Sequence, residues 1–419
     1  MSQLRSALGY SAIESIGSRV FDLAILWIVL NSLPEADIAK FGLATASIFF
    51  FNLIFFGPET ALLRNQKGWD KCGELSAYLS AFISFSILKL CIHLVLIVCL
   101  FSTLDGSHWL VYAVVFSVIT QQIQLSEISR IYMRMDLQQR FVARFELSSK
   151  FILASACLIL FEAGSIETYF AIYYVWSLVV SVLWIRLLSQ QQGLQFTGVR
   201  TSIGLIWKAS IGFSFWTHIS GVLTYYIYNV NILFLGAVGA STEDVSLYTV
   251  ISKVANLFFV IPMFFQSFVP VILSNSGDSS EQKFRKLLLS NAGLSLGQFF
   301  FFVVLGLWIG PFFGLKDETR VWDFYYLGLV ISSGVLVLNL SRPLSTYLLI
   351  KTSPSKVMTQ VFIPSAIVAS MLYAIGSIYF GILGCAVGAA LAYTFLGVML
   401  GIKFIKYRKD SMLNFMERS

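Results

Sequence analysis

The 419-residue chain is 57% hydrophobic and only 12% charged, and its mean hydropathy is +0.78. In soluble domains about a quarter of the residues are charged, so this composition excludes a soluble globular protein and predicts a polytopic membrane protein. The five cysteines form no CxxC pair, so neither a disulfide framework nor a metal site is predicted.

About twelve apolar runs are long enough to cross a membrane, and each is expected to be a helix because backbone groups must pair internally in lipid. They lie at about residues 8–30, 39–57, 75–101, 108–126, 145–162, 167–188, 208–237, 245–273, 285–309, 322–350, 357–379 and 383–405. The predicted fold class is therefore an all-α polytopic membrane protein. Glu14, Arg19 and Asp22 interrupt the first run, which excludes a cleavable signal peptide there, so we expect this helix to be retained.

Basic residues are distributed unequally between the two sides of the predicted spans. Among the connecting segments and termini, only Lys316 and Arg320 fall on one side, and all other Lys and Arg residues fall on the opposite side. The positive-inside rule therefore places both termini in the cytoplasm. This asymmetry also explains the net charge of +7 without nucleic-acid binding.

A short pattern recurs half a chain apart. Asp37 precedes Phe41 at the start of the second span, and Asp244 precedes Tyr248 at the start of the eighth. Transporters are commonly built from two related bundles. We therefore predict an N-terminal six-helix lobe (1–188), a cytoplasmic linker (189–207), and a C-terminal six-helix lobe with a short cytoplasmic tail (208–419), the two lobes enclosing a central cavity.

Polar side chains within the spans indicate what that cavity binds. An intramembrane charge costs about 2.5–3.5 kcal/mol unless it faces protein, water or an anion. Cations exceed anions in the spans, and this excess favours an anionic ligand such as a phosphate or diphosphate. The candidate diphosphate ligands are Arg19, Lys89, Lys253 and Arg342. Glu14 and Asp22 are candidates for coupling to a proton or a sodium ion, and His218, Asn229, Asn256 and Tyr225 are candidate polar lining residues.

Each of these residues also has a purely structural interpretation. Arg19 and Asp22 are three residues apart, so they can form an ion pair on their own helix. Lys89 and His93 can pack as a neutral pair between helices, and His218 can serve as an interhelical hydrogen-bonding residue. The tyrosines of span 7 can stack on sugars or pack between helices. The four arginines between residues 130 and 144 are interpreted as topology anchors at the lipid headgroups.

Two segments resemble a known family. FFGPETALLR at 55–64 and SLYTVISKVANLFFVIPMFFQSFVP at 246–270, together with a polar first helix and cytoplasmic ends, resemble the polysaccharide transporter branch of the multidrug/oligosaccharidyl-lipid/polysaccharide (MOP) exporter superfamily. Within that branch, the chain is most similar to the O-antigen or exopolysaccharide lipid flippases of bacterial inner membranes. This resemblance implies a cavity lined by spans 1, 2, 7 and 8, with cations meeting the lipid diphosphate.

The function hypothesis is therefore a non-enzymatic flippase that moves an undecaprenyl-diphosphate-linked oligosaccharide to the outer leaflet by alternating access. No cofactor is expected beyond a coupling proton or sodium ion. The expected partners are the lipid-linked glycan, membrane lipid, and a polysaccharide polymerase with its chain-length regulator, and the chain is expected to be a monomer. The alternatives are a multidrug exporter of the same fold, a membrane polymerase or glycosyltransferase, and a scaffold without transport.

Overall fold

The computed structural model contains two compact units, residues Met1–His218 and Ile219–Ser419. The residues described are 2–52, 58–103, 108–136, 138–160, 164–195, 198–259, 262–263, 265–266, 269, 272–273 and 280–416. Within those ranges the regular secondary structure is helical throughout.

Helices α1 to α9 lie in the first unit. Their bounds are α1 Ser2–Ser32, α2 Glu35–Ala46, α3 Ile48–Asn52, α4 Pro58–Cys72, α5 Leu75–Thr103, α6 Trp109–Met135, α7 Gln139–Leu160, α8 Ile166–Gln192 and α9 Val199–Ser210. Helix α1 packs on α7, and α6 packs on α5 and α8. Phe82, Met133 and Trp184 are fully buried in the core that α5, α6 and α8 share.

The remaining helices build the second unit, except that α10 crosses from the first unit into it. Their bounds are α10 Phe213–Asn229, α11 Asn231–Ala237, α12 Thr242–Leu257, α13 Ser280–Phe312, α14 Glu318–Lys351, α15 Pro354–Val357 and α16 Ile363–Met416, with a π-helical turn at Met358–Phe362 before α16. Helix α14 is central to this unit, because it packs on α12, α13 and α16.

The predicted all-α membrane fold is confirmed. In the ranges given above, six helices are long and apolar enough to cross a membrane, and a seventh span results when α10 and α11 are taken together. One of the six runs over 57 residues, which at 1.5 Å per residue is about 85 Å and more than twice a bilayer core. This segment therefore makes more than one pass, and the protein is a multi-pass membrane protein.

Spans 11 and 12 of the sequence prediction form a helical hairpin within α16. The backbone leaves helical geometry at Gly381, where φ is 57° and ψ is −135°. The two arms contact each other at Gly376, which precedes the turn, and at Gly384, which follows it. A Cβ on Gly384 would lie 2.1 Å from the carbonyl oxygen of Gly376, so neither position has room for a side chain. Small residues allow such close approach between membrane helices.

The contact between the two arms predicts the effect of Gly384→Ala. We expect a loss of about 1–3 kcal/mol in the free energy of unfolding, because the added methyl group meets rigid backbone. Thermal unfolding of the purified protein in detergent measures this loss. Gly401→Ala is the matched control, because no atom lies within 4 Å of a Cβ there, and it should leave stability unchanged or slightly higher. Equal effects of the two substitutions would contradict the packing argument.

The prediction for span 7 needs correction, because that span is broken rather than continuous. Helices α10 and α11 meet at an angle of 50° around Val230. The end of α10 leaves backbone carbonyls without helical partners, and two tyrosines of α16 satisfy two of them. Tyr373 Oη donates to Ile227 O, and Tyr393 Oη donates to Tyr228 O at 3.0 Å. Cys385 Sγ also donates to the carbonyl of Asn231, the first residue of α11, at 3.4 Å.

Two other boundaries also differ from the sequence prediction. The segment predicted as linker contains α9, whose buried face of Ser202, Ile206 and Ser210 packs on α5. Span 8 was predicted to continue to residue 273, whereas α12 ends at Leu257. Between Phe259 and residue 280 only scattered residues are described, so the end of this span lies outside the described residues. The predicted domain limits stay a prediction.

Candidate functional site

A network of charged side chains connects three helices of the first unit. On α1, Glu14 pairs with Arg134 of α6, and Asp22 pairs with Lys150 of α7 at 2.5 Å. Glu14 is only 6% exposed. Arg130 of α6 completes the connection, and its partners are Glu127 on its own helix and Glu146 of α7 at 3.1 Å.

Two tryptophans of α8 close this network. The indole N–H of Trp184 donates to Glu146 at 3.0 Å, and that of Trp176 donates to the carbonyl of Ser149 at 2.8 Å. The ammonium of Lys150 also lies 5.3 Å from the centre of the Trp176 ring, within cation–π distance. Four helices are therefore fixed to one another by charge-assisted contacts.

The network corrects two interpretations made from the sequence. Arg130 and Arg134 are not simple headgroup anchors, because α6 continues to Met135 and both arginines pair with acids of the same bundle. The acids of the network are as many as the bases, so it carries no excess positive charge. The four acids are Glu14, Asp22, Glu127 and Glu146, and the four bases are Arg19, Arg130, Arg134 and Lys150.

Other predicted residues of the first unit have ordinary local contacts. Arg19 lies at the edge of the network with its side chain 47% exposed, 3.7 Å from Asp22. Lys89 is buried on α5, and its ammonium lies 5.3 Å from the centre of the Phe85 ring. The Nδ1 atom of His93 forms a hydrogen bond of 2.7 Å with the backbone carbonyl of Lys89. His218 is half-buried on α10. Their assignment to a diphosphate site or a polar lining stays a prediction.

Arg342 lies in a different environment, on α14 in the second unit. Its guanidinium carbon lies 5.2 Å from the centre of the Tyr228 ring and 5.1 Å from that of Phe259, and the two rings are stacked 4.5 Å apart. The Nε–H donates to the Tyr228 hydroxyl at 3.3 Å. Tyr393 packs edge-on against Tyr228 and fixes this aromatic platform.

Arg342 also has no acidic counterpart among the residues that the structure describes. The residue is 8% exposed, and none of the ion pairs found within the described ranges includes it. Its Nη1 is buried and lacks a hydrogen-bond partner among the residues described. Burying a guanidinium costs several kcal/mol unless a counter-charge offsets it. Each cation–π contact stabilises the guanidinium by about 0.5–2 kcal/mol, which offsets only part of that cost. An anion that forms a charge-assisted hydrogen bond with Nη1 would therefore bind strongly.

The predicted polar lining residues of the second unit are partly brought together. Asn256 of α12 donates to the side-chain oxygen of Asn229 at 3.2 Å, and Asn229 donates to the carbonyl of Tyr225 at 3.2 Å. Lys253 lies on α12, one turn before Asn256, and is half-buried. These contacts connect α10 and α12 just before the break at Val230.

Sequence reasoning missed Glu127, Glu146, Lys150 and Phe259, and it placed Arg130 and Arg134 at the headgroups rather than in the bundle. Glu127, Arg130 and Arg134 recur at three and four residues, which puts them on one face of a helix, and Glu146 and Lys150 are four apart. That spacing was a detectable signal. No comparable signal existed for Phe259, because an aromatic residue in an apolar segment does not reveal which cation it contacts.

No protein-family model matches the sequence, and no curated protein is a significant match to it. Solved structures nevertheless match nearly the whole chain. An outward-facing multidrug resistance MATE family transporter of the MOP superfamily has a TM-score of 0.66 and 13% identity, covering 98% of this chain and 97% of that one. The chain has the fold of the MOP superfamily transporters.

Two further structures share this fold. The lipid II flippase MurJ, in an inward closed conformation, has a TM-score of 0.64 and 16% identity, covering 97% of this chain and 91% of that one. A MOP superfamily transporter from Pyrococcus furiosus, described as having a binding pocket of reversed polarity, has a TM-score of 0.61 and 13% identity over 97% and 95% of the two chains. The fold that the resemblance implied is thus confirmed, and membership of the O-antigen branch stays a prediction.

Proposed function

We propose that the protein is a flippase that moves an undecaprenyl-diphosphate-linked oligosaccharide from the cytoplasmic to the outer leaflet of a bacterial inner membrane by alternating access. The observation that carries this proposal is the buried guanidinium of Arg342. It offers a buried donor with no acidic counterpart in the described ranges, and diphosphate is the anion that suits its planar fork. Arg19, Lys89 and Lys253 are proposed to assist in binding the diphosphate.

The shared fold supports the same proposal. One protein with this fold is named a lipid II flippase, so the architecture is compatible with a lipid-linked substrate. In the proposed mechanism no covalent bond is made or broken, and the protein is not an enzyme. The tyrosines around Tyr225 are proposed to contact sugar rings. A polysaccharide polymerase and its chain-length regulator are the proposed partners on the outer side, and both termini are proposed to be cytoplasmic.

Coupling to an ion is assigned to the first unit in this proposal. Glu14 has one carboxylate oxygen that is buried without a hydrogen-bond partner among the residues described. A proton or sodium ion at Glu14 or Asp22 would weaken the pairs with Arg134 and Lys150. Loosening these pairs would release α1 from α6 and α7, which is the kind of two-state element that coupling requires.

Complementation tests the proposed function. In a strain that lacks its own flippase and makes the cognate lipid-linked glycan, we expect the wild-type protein to restore glycan to the outer leaflet and the cell surface. The sidedness of the lipid-linked glycan is the measurement. Glycan that reaches the outer leaflet without this protein but stays as single units would favour the polymerase alternative. Drug resistance on overexpression, without glycan export, would favour the multidrug exporter.

A further inference from the structure

Helix α14 has a proline in its interior, directly after Arg342. Pro343 has no N–H, so the carbonyl of Asn339, four residues earlier, cannot receive its helical hydrogen bond. A proline ring also crowds the carbonyl four residues earlier, which weakens the helix locally. Because Asn339 is only 2% exposed, water does not readily replace the missing donor.

The missing donor comes from α13. Asn291 is fully buried, and its side-chain amide donates to the carbonyl of Asn339 at 2.8 Å. The rest of the buried face of α13 is mostly apolar, including Phe284, Leu287 and Phe302, so an asparagine there is costly unless it is bonded. The contact pairs the amide nitrogen, whereas the amide oxygen has no partner among the residues described. The contact replaces the hydrogen bond that Pro343 removes.

Asn339 is bonded a second time, through its side chain. Its amide donates to the carbonyl of Phe258 at 3.0 Å, and Phe258 caps the C-terminal end of α12. Carbonyls at a helix end have no helical partner. The next residue, Phe259, supplies one of the two rings against Arg342. Asn339 therefore fixes the end of α12 to α14 one turn before Arg342.

We infer that Asn291 and Asn339 are positioning residues that hold Arg342 against the Tyr228 and Phe259 rings, by supplying the hydrogen bonds missing at Pro343 and at the end of α12. This inference rests on the proposed role of Arg342 in binding diphosphate. It adds the requirement that affinity for the anion depends on a buried amide of α13. Asn291 acts through the backbone of Asn339 and has no described contact with Arg342 itself.

Binding of geranylgeranyl diphosphate to the purified full-length protein tests the inference, with geranylgeraniol as the probe that lacks the anion. We expect Asn291→Leu to weaken diphosphate binding about tenfold or more and to lower the unfolding temperature, because it leaves a buried carbonyl unsatisfied. Ser295→Ala is the matched control. Ser295 is equally buried on the same face of α13 without a described partner, so both quantities should stay at wild-type values.

Pro343→Ala separates positioning from stability. The new N–H can satisfy the carbonyl of Asn339 within the helix, so Asn291→Leu should lower the unfolding temperature less in this background than in the wild type. Diphosphate binding should stay weak in the double variant, because Asn291 no longer ties α13 to α14 at Asn339. If the losses of stability caused by Asn291→Leu and Pro343→Ala simply add in the double variant, the proposed connection through Asn339 is overturned.

Arg342→Gln in the same assay distinguishes the loss of the anion site from the loss of its positioning residue. If Arg342→Gln binds the diphosphate weakly while Asn291→Leu binds it like the wild type, the positioning role is overturned and the proposed anion site stands. Wild-type binding of the diphosphate by Arg342→Gln would overturn the anion site, and the positioning role with it.

Discussion

Replacing Arg342 with glutamine is expected to reduce export of the lipid-linked glycan about a hundredfold while the protein stays folded in the membrane. Two charge-assisted hydrogen bonds to a phosphate are worth about 3 kcal/mol or more, which corresponds to that factor. No acidic partner of Arg342 occurs in the described ranges, so the substitution strands no buried anion. It also removes a buried charge whose contacts among the described residues are two aromatic rings and one hydroxyl.

The measurement is the sidedness of lipid-linked glycan in the complemented strain, with the amount of protein in the membrane quantified in parallel. Arg342→Lys should have an intermediate effect, because an ammonium keeps the charge but loses the planar fork. Lys351→Gln is the matched control, since Lys351 is an exposed cation at the end of the same helix and should export normally. Normal export by Arg342→Gln at wild-type abundance would remove Arg342 from the substrate site.

The sequence was sufficient to predict the class of fold and the position of most helices. Long apolar runs give membrane helices because the bilayer forces the backbone to pair within each run. The same reasoning failed at Val230, where the helix breaks between Asn229 and Asn231 inside a run long enough to span the membrane. The carbonyls at the end of α10 receive donors from Tyr373 and Tyr393, which lie more than a hundred residues later. A local pattern carries no information about such distant partners.

The candidate site was predictable only in part, for a similar reason. Arg342 was identified because a charge inside an apolar run is expensive wherever it occurs. Its aromatic platform was not, since Tyr228 and Phe259 are brought to it by tertiary packing. The balance of charge in the first unit was misjudged because span 4 was taken to end before Arg130. The predicted end at residue 126 lies nine residues before Met135, where α6 ends, and this error moved two arginines from the bundle to the headgroups.

Arg134→Gln is expected to show the opposite signature to Arg342→Gln, namely a large loss of stability. Arg134 is the described partner of Glu14, whose second carboxylate oxygen already lacks one. Removing the arginine leaves a buried carboxylate without a counter-charge, which costs about 3–5 kcal/mol. We expect the low end of this range, because the side chain of Arg134 is itself 31% exposed. Chemical unfolding in detergent and abundance in the membrane measure the effect.

The double variant Glu14→Gln, Arg134→Gln provides the decisive comparison. Removing both charges also removes the stranded anion, so most of the lost stability should return. Arg19→Gln is the exposed control, and it should change stability by less than about 0.5 kcal/mol because Asp22 keeps its closer partner, Lys150. Full stability of Arg134→Gln would mean that Glu14 is already neutral in the resting protein. Removal of Arg134, which pairs with a buried carboxylate, should therefore reduce stability, whereas removal of Arg342, which has no acidic partner in the described ranges, should reduce substrate binding.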